Sequence, residues 1–558
     1  MSDNVTYIVF YGDKPQKLAK RITFSSGIKE IYGEFCANTS IHGFQYFGQQ
    51  RPWKEIFFWI VVFIITMGFC STIIVKIYYK WHESPVIVSF SERSTPIWNI
   101  PFPAITICPE TKRTMNKTDL KYGRLLSNFL EYLKNHEKFS QNFTEQQLQQ
   151  TLALMHICRL EIESVHDIPP LNYTKIMGEM DYTKILDEMQ PSFEKYFFIC
   201  KWFGNRSKCE ELFTKVYTDG GMCYTFNSLN ITDIYREDVV QHQNSLNRTP
   251  SPSFFQQNKS TNWSLEQGYD ENSDVLTFPA RVLSSGSTVG LQIYLQSFMQ
   301  ELDYTCNGAV QGFRILLHSP DDVPSVSQHF VRIAMDKEIL IAVKPKMITT
   351  AQDIAAYDPQ KRRCYMNKDR QLKFFKIYTQ NNCQRECLTN FTYKECGCVR
   401  FSMPRTADMT ICGADKIHCY RQAKEKLLLQ QFSQGLKNKD LASLPLEAAG
   451  CQCMPACTSL DYETELSEGH FDIVNTLEAF GSLEDYNKAY PGGRMSLVMI
   501  YFKENEFITS RRSELYGLTE LLANFGGVFG LFMGISILSV VEMFYHCTLR
   551  LWSNMNRV

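Results

Sequence analysis

Two uncharged apolar runs divide this chain, Ile56 to Val75 over 20 residues and Leu521 to Val541 over 21. Each is long enough to cross a bilayer as a helix. The second departs from a simple anchor, carrying Gly526, Gly527, Gly530 and Gly534 with Ser536 and Ser539 where lipid alone favours Leu, Ile and Val. Gly526, Gly530 and Gly534 recur every four residues, so small side chains share one helical face and offer close approach to another helix or a narrow pore. Glycine also permits a local break, and serine can re-satisfy the backbone groups that a break frees. Glu542 follows at the membrane edge, where an ionisable group is costly and marks function. A helix that uses its glycines only to dimerise is the competing reading.

Between these runs the pattern is mostly polar, with short periodic stretches. Phe102 to Pro109, a β-branched run bounded by prolines, predicts a strand tied down by Cys108. Val289–Leu295, Val331–Met335 and Ser496–Phe502 alternate as strands do. Thr144-Glu-Gln-Gln147 is a capping box ahead of Leu148, Leu152 and Met155. Ala423, Leu427, Leu428 and Phe432 recur at helical spacing between Cys419 and Cys451. Asn116 to Cys223 reads as a helical, glycosylated excursion, and the polar stretch Asn227 to Asp274 as an exposed loop. Tyr78, Tyr79 and Trp81 suit a membrane interface. Together these predict an α+β membrane protein with two transmembrane helices flanking a large external domain. The first run shows no cleavage pattern and reads as an anchor that is kept.

Cysteine usage settles which side the large segment faces. It holds 16 of the 19 cysteines, from Cys108 to Cys457, a density expected of an oxidising compartment. Glycosylation sequons at Asn116, Asn142, Asn172, Asn205, Asn230, Asn258, Asn262 and Asn390 agree; a further one at Asn247 is spoiled by Pro250. Both observations place this segment outside the cell and both termini in the cytosol. Zinc at the Cys-x-Cys pairs is disfavoured, because extracellular thiols oxidise and no His is spaced as a ligand, so neither metal nor cofactor is expected. With 58 basic against 59 acidic residues, no overall field recommends nucleic acid as a partner. Neither a nucleophile elbow nor His-Glu-x-x-His is present, so an enzyme is not expected. What remains is a channel or, as the alternative, a two-span receptor or adhesion protein without a pore.

The order of signals resembles the degenerin and epithelial sodium channel family: His42-Gly43 before the first span, Phe102-Pro-Ala-Ile-Thr-Ile-Cys-Pro109 after it, a dense cysteine cluster, then Gly534-Ile535-Ser536. Asn38-Thr-Ser-Ile-His-Gly43 and the short tail are most similar to its insect pickpocket branch. The resemblance implies a homo- or heterotrimeric plasma-membrane channel passing sodium passively, blocked by amiloride, with palm, finger, knuckle, β-ball and thumb in each ectodomain. Mapped onto this chain it implies a cytosolic arm 1–55, spans 56–76 and 519–545, an ectodomain 77–518 with its thumb near 364–457, and a cytosolic tail 546–558. Gly534, Ile535 and Ser536 match the selectivity filter, His42 and Gly43 the gating motif, and Glu542 an acidic ring. Ala523, Asn524, Gly526 and Gly527 match the gate. Implied disulfides are Cys108–Cys223, Cys200–Cys209, Cys364–Cys457, Cys383–Cys453, Cys387–Cys451, Cys396–Cys419 and Cys398–Cys412, leaving Cys158 and Cys306 without counterparts. Where acid-sensing members carry a tryptophan before the first thumb cysteine, this chain has Gln360-Lys-Arg-Arg363.

Overall fold

A computed structural model describes residues 24–48, 51–83, 86–115, 119–134, 144–158, 181–246, 263–270, 273, 277–327, 329–437, 451, 453–515, 517–550 and 552–553. Two compact units emerge, Val88–Ser513 and the flanking segments up to Ile87 and from Glu514 onward. The flanking unit contains the apolar helix Trp53–Glu83, which is long enough to span a membrane. The second apolar run, expected as a span over 519–545, breaks locally as its glycines allow. It forms the helical stretches Leu518–Met533 and Ile537–Arg550, bent by 67° about the residues between them.

The larger unit is mixed α and β, with strands β1 (Val86–Pro96), β2 (Ala104–Pro109), β3 (Phe197–Trp202), β4 (Asn205–Ser207), β5 (Phe213–Thr218), β6 (Gly221–Phe226), β7 (Leu291–Phe298), β8 (Phe313–His318), β9 (Val331–Ile333), β10 (Lys337–Thr350), β11 (Ser459–His470), β12 (Gly493–Phe502) and β13 (Glu506–Glu514). They form a sheet in the order β1-β13-β10-β12-β7-β3-β4, with β11 also on β10, and a second sheet in the order β5-β6-β2-β8-β9. Every residue of β2 is buried, because that strand is central in its sheet and covered on both faces. Phe102 lies edge-on to Trp202, Phe226 and Phe502, joining the sheets through one aromatic core.

Asn227, expected to open an exposed loop, is instead buried. Its side-chain amide donates to the carbonyls of Phe102 and Ala280 and accepts from the Ala280 amide at 2.6 Å, so a polar residue closes the core. Val239 is also fully buried, whereas 247–262 lie outside the described residues. The Thr144 capping box forms with Gln147 and opens the helix Glu145–Ile157.

Helices Gln380–Cys396 and Ile417–Lys437 carry the cysteine-rich region. Among the described residues eight disulfides form: the seven pairs implied above and Cys158–Cys306. Cys364–Cys457 closes 93 residues, and links over such long loops each contribute about 2–4 kcal/mol. Of Gln360–Arg363, Arg362 turns inward, donating to the carbonyls of Ala355, Tyr357 and Cys364 and pairing with Asp369.

Asp322 lies buried after β8, accepting from Asn381 at 2.8 Å. Burial, then the neighbouring Asp321 carboxylate, push its pKa from 3.8 up to about 7. The fold therefore keeps a proton that the unfolded chain has released between those values, so stability falls as pH rises through that window. Asp322→Asn is expected to melt above wild type at pH 8 and together with it at pH 4. Parallel melting curves across that range would count against a titrating Asp322.

Candidate functional site

The site forms where the second apolar run breaks. Gly534 ends the Leu518–Met533 helix at φ 66°, ψ 15°, a left-handed conformation that favours glycine. Its amide donates to the Gly530 carbonyl at 3.0 Å. Ser536 then starts the next helix as an extended N-cap (φ −108°, ψ 169°). The Ser539 amide donates to Ser536 Oγ at 3.2 Å, and the Ser536 amide donates to Ser539 Oγ at 3.1 Å. Two amides that the break would orphan are thus satisfied by two hydroxyls. Carbonyls at the end of the first helix have lost their helical partners, as at any helix C-terminus.

The segment before the first span binds this break. Its helix Phe24–Asn38 leads into a turn in which Gly43 takes φ 87° and caps the short Phe44–Phe47 helix. The His42 amide donates to the Met533 carbonyl at 2.8 Å, claiming one of the freed acceptors. The His42 imidazole rests on Gly534: a Cβ there would lie 2.6 Å from its Cδ2. Ser40 Oγ is 2.6 Å from Ser539 Oγ, adding a hydroxyl to the pair that caps the break. Arg550 Nη2 grips Glu34 at 2.9 and 3.1 Å, a paired charge-assisted contact. Phe44 meets Phe63 edge-on, and Tyr46 stacks on Trp59 with centroids 4.0 Å apart, fixing the turn against the first span.

His42, Gly43, Gly534 and Ser536, more than 490 residues apart in sequence, therefore share one structural junction, with Ile535 at the bend. Glu542 sits lower on the Ile537–Tyr545 helix, half-buried and without an ion pair among the described residues. Ala523, Asn524, Gly526 and Gly527 lie on an exposed face of Leu518–Met533, and a Cβ at Gly526 or Gly527 would meet nothing within 4 Å. No part of this chain crowds that face among the described residues. Sequence reasoning named Ser536 and Ser539 as serines able to satisfy a break but not their reciprocal cap, and it missed Ser40 and the Glu34–Arg550 pair. The Ser-x-x-Ser spacing was the available signal for the cap; nothing local marks the other two.

Of the glycosylation positions, Asn205, Asn230 and Asn390 are exposed, while Asn116, Asn142, Asn172, Asn258 and Asn262 lie outside the described residues.

The amiloride-sensitive sodium channel family model matches residues 35–546. The chain is 28% identical to Pickpocket protein 28 of Drosophila melanogaster over 94% of this chain and 79% of that protein. To the fly Sodium channel protein Nach it is 23% identical, over 97% and 91%. Acid-sensing ion channel 1C of Danio rerio is 21% identical over 91% and 82%. The match takes in both apolar runs, the disulfide-rich unit and the His42–Gly534 junction, and the chain belongs to the amiloride-sensitive sodium channel family.

Proposed function

We propose that this protein is a subunit of a plasma-membrane cation channel that passes sodium passively, is blocked by amiloride, and opens in response to an extracellular stimulus. The observation that carries this reading is the break at Gly534-Ile535-Ser536, capped by serines and bound by the His42–Gly43 turn. A plain anchor helix has no use for such a break, whereas a cation pathway needs oxygens that replace a hydration shell. Carbonyls freed at the bend and the Ser536 hydroxyl supply them. Three copies, identical or related, bring these oxygens around one axis and turn Glu542 into an acidic ring that enriches cations and repels anions. The disulfide-rich unit, with palm, finger, knuckle, β-ball and thumb, faces outward and receives the stimulus, while both termini lie in the cytosol.

Ser536 tests the assignment. Ser536→Ala removes a hydroxyl and an N-cap worth about 1 kcal/mol. It is expected to change the sodium-to-potassium permeability ratio severalfold or to abolish current in cells expressing the protein. Unchanged selectivity in an active channel would refute the filter, and no current from any well-expressed form, alone or with related subunits, would favour the pore-free receptor.

A further inference from the structure

A cavity of about 800 Å³ lies within the Val88–Ser513 unit, bordered by the helices Gln380–Cys396 and Ile417–Lys437, the turn between β5 and β6, and the loop after β8. Its volume suits a small molecule. Its lining carries several cations. Arg385, Arg400, Arg421 and Lys424 all face it, beside Arg314, whose charge is spent on Glu110 at 2.9 Å. Arg421 and Lys424 have no carboxylate within ion-pair distance among the described residues.

Arg400 is held rigidly. It donates to the carbonyls of His156 at 2.6 Å and Asp219 at 2.5 Å and lies over the Tyr420 and Phe401 rings, yet its Nε is buried with no partner in the fold. His156, 2% exposed, meets the Tyr420 hydroxyl through Nδ1 at 3.1 Å and leaves Nε2 unpartnered. On residues lining the cavity, Arg400 Nε, His156 Nε2, Asp219 Oδ1, Ser319 Oγ and Asp322 Oδ1 are all buried without partners in the fold.

Three carboxylates also line the space. Burial alone raises a carboxyl pKa, yet Arg400, the Ser327 hydroxyl, Arg385 and Lys424 hold Asp219 below its usual value. Burial moves Asp322 and Asp461 the other way, towards the neutral form. Burial with the Arg400 and Arg421 cations keeps the His156 ring neutral, its pKa pushed down to about 3. The uncompensated charge in the cavity is positive. We propose that this cavity binds a small organic anion bearing a carboxylate or phosphate group, with Arg421 and Lys424 supplying the charge. Guanidinium geometry favours two-oxygen groups of this kind over halide. The site stands whether or not the protein conducts.

The test uses the full chain purified in detergent, titrated separately with glutarate, inorganic phosphate and, at matched ionic strength, chloride, with binding followed by calorimetry. Saturable binding of glutarate or phosphate is expected, weakened about tenfold or more by Arg421→Gln and by Lys424→Gln, as loss of one charge-assisted contact requires. Lys424→Arg, which keeps the charge, should retain binding and shows that the site tolerates change there. Response to glutarate alone assigns a carboxylate, and to phosphate alone a phosphate; either supports the site. Absence of saturable binding, an equal response to chloride, or unweakened binding in both glutamine variants overturns it.

Discussion

Gly534→Ala is expected to reach the cell surface and lose at least about nine-tenths of its sodium current. Two costs fall on the one added methyl group. The backbone at Gly534 has φ 66°, where a side chain costs about 1–2 kcal/mol. The new Cβ would also stand 2.6 Å from His42 Cδ2 and 2.7 Å from Nε2, closer than such atoms pack, so the turn or the bend must move. Together these exceed the 1.4 kcal/mol that shifts a two-state population tenfold. The steric part is separable. Adding His42→Ala should restore part of the current to Gly534→Ala, whereas the backbone cost remains, and residues in direct contact show coupling of about 0.5–3 kcal/mol in such a cycle. Whole-cell recording with surface biotinylation measures both variants. Full current and unchanged selectivity in Gly534→Ala would show that neither the bend nor the docked imidazole matters to conduction.

Ala523→Phe is expected to act in the opposite direction, raising resting sodium current about tenfold, with the excess suppressed by an amiloride-type blocker. Within one chain Ala523 faces open space, as do the glycines that follow it. Any crowding there must come from another subunit, and small-residue faces in membranes are where helices approach closely. Overpacking costs roughly 1–3 kcal/mol. If the closed arrangement bears most of that cost, the open-to-closed ratio rises accordingly. Ala523→Gly, which adds no bulk, is the control and should leave resting current low. Equal currents from wild type, Ala523→Gly and Ala523→Phe at matched surface levels would remove Ala523 from the gate.

The apolar helix of the first run, the disulfide-rich segment, the Thr144 cap and strands such as β2 and β12 were legible because each is a local pattern: apolar length, cysteine density, or alternation within a few residues. The long strands β10 and β11 were not. They pair over twelve register positions, yet Ser459–His470 reads as a polar run because most of its side chains face solvent. Asn227 was misread for a related reason, since a buried amide is tolerated only when Phe102 and Ala280 arrive to satisfy it, and both are distant in sequence. Nothing in Gln360-Lys-Arg-Arg363 marks Arg362 as the residue that turns inward, since the carbonyls of Ala355, Tyr357 and Cys364 meet it only in the folded chain.

At the junction, the sequence by itself determined the material: glycines that allow a break, serines able to cap it, and a His-Gly turn ahead of the first span. Only the tertiary structure decided that the break falls at Gly534 and that the turn occupies it. A left-handed glycine is one option among the four in that run, and local propensity cannot choose between them. The choice is made where the His42 amide takes the Met533 carbonyl and the imidazole fills the space that any side chain at Gly534 would need.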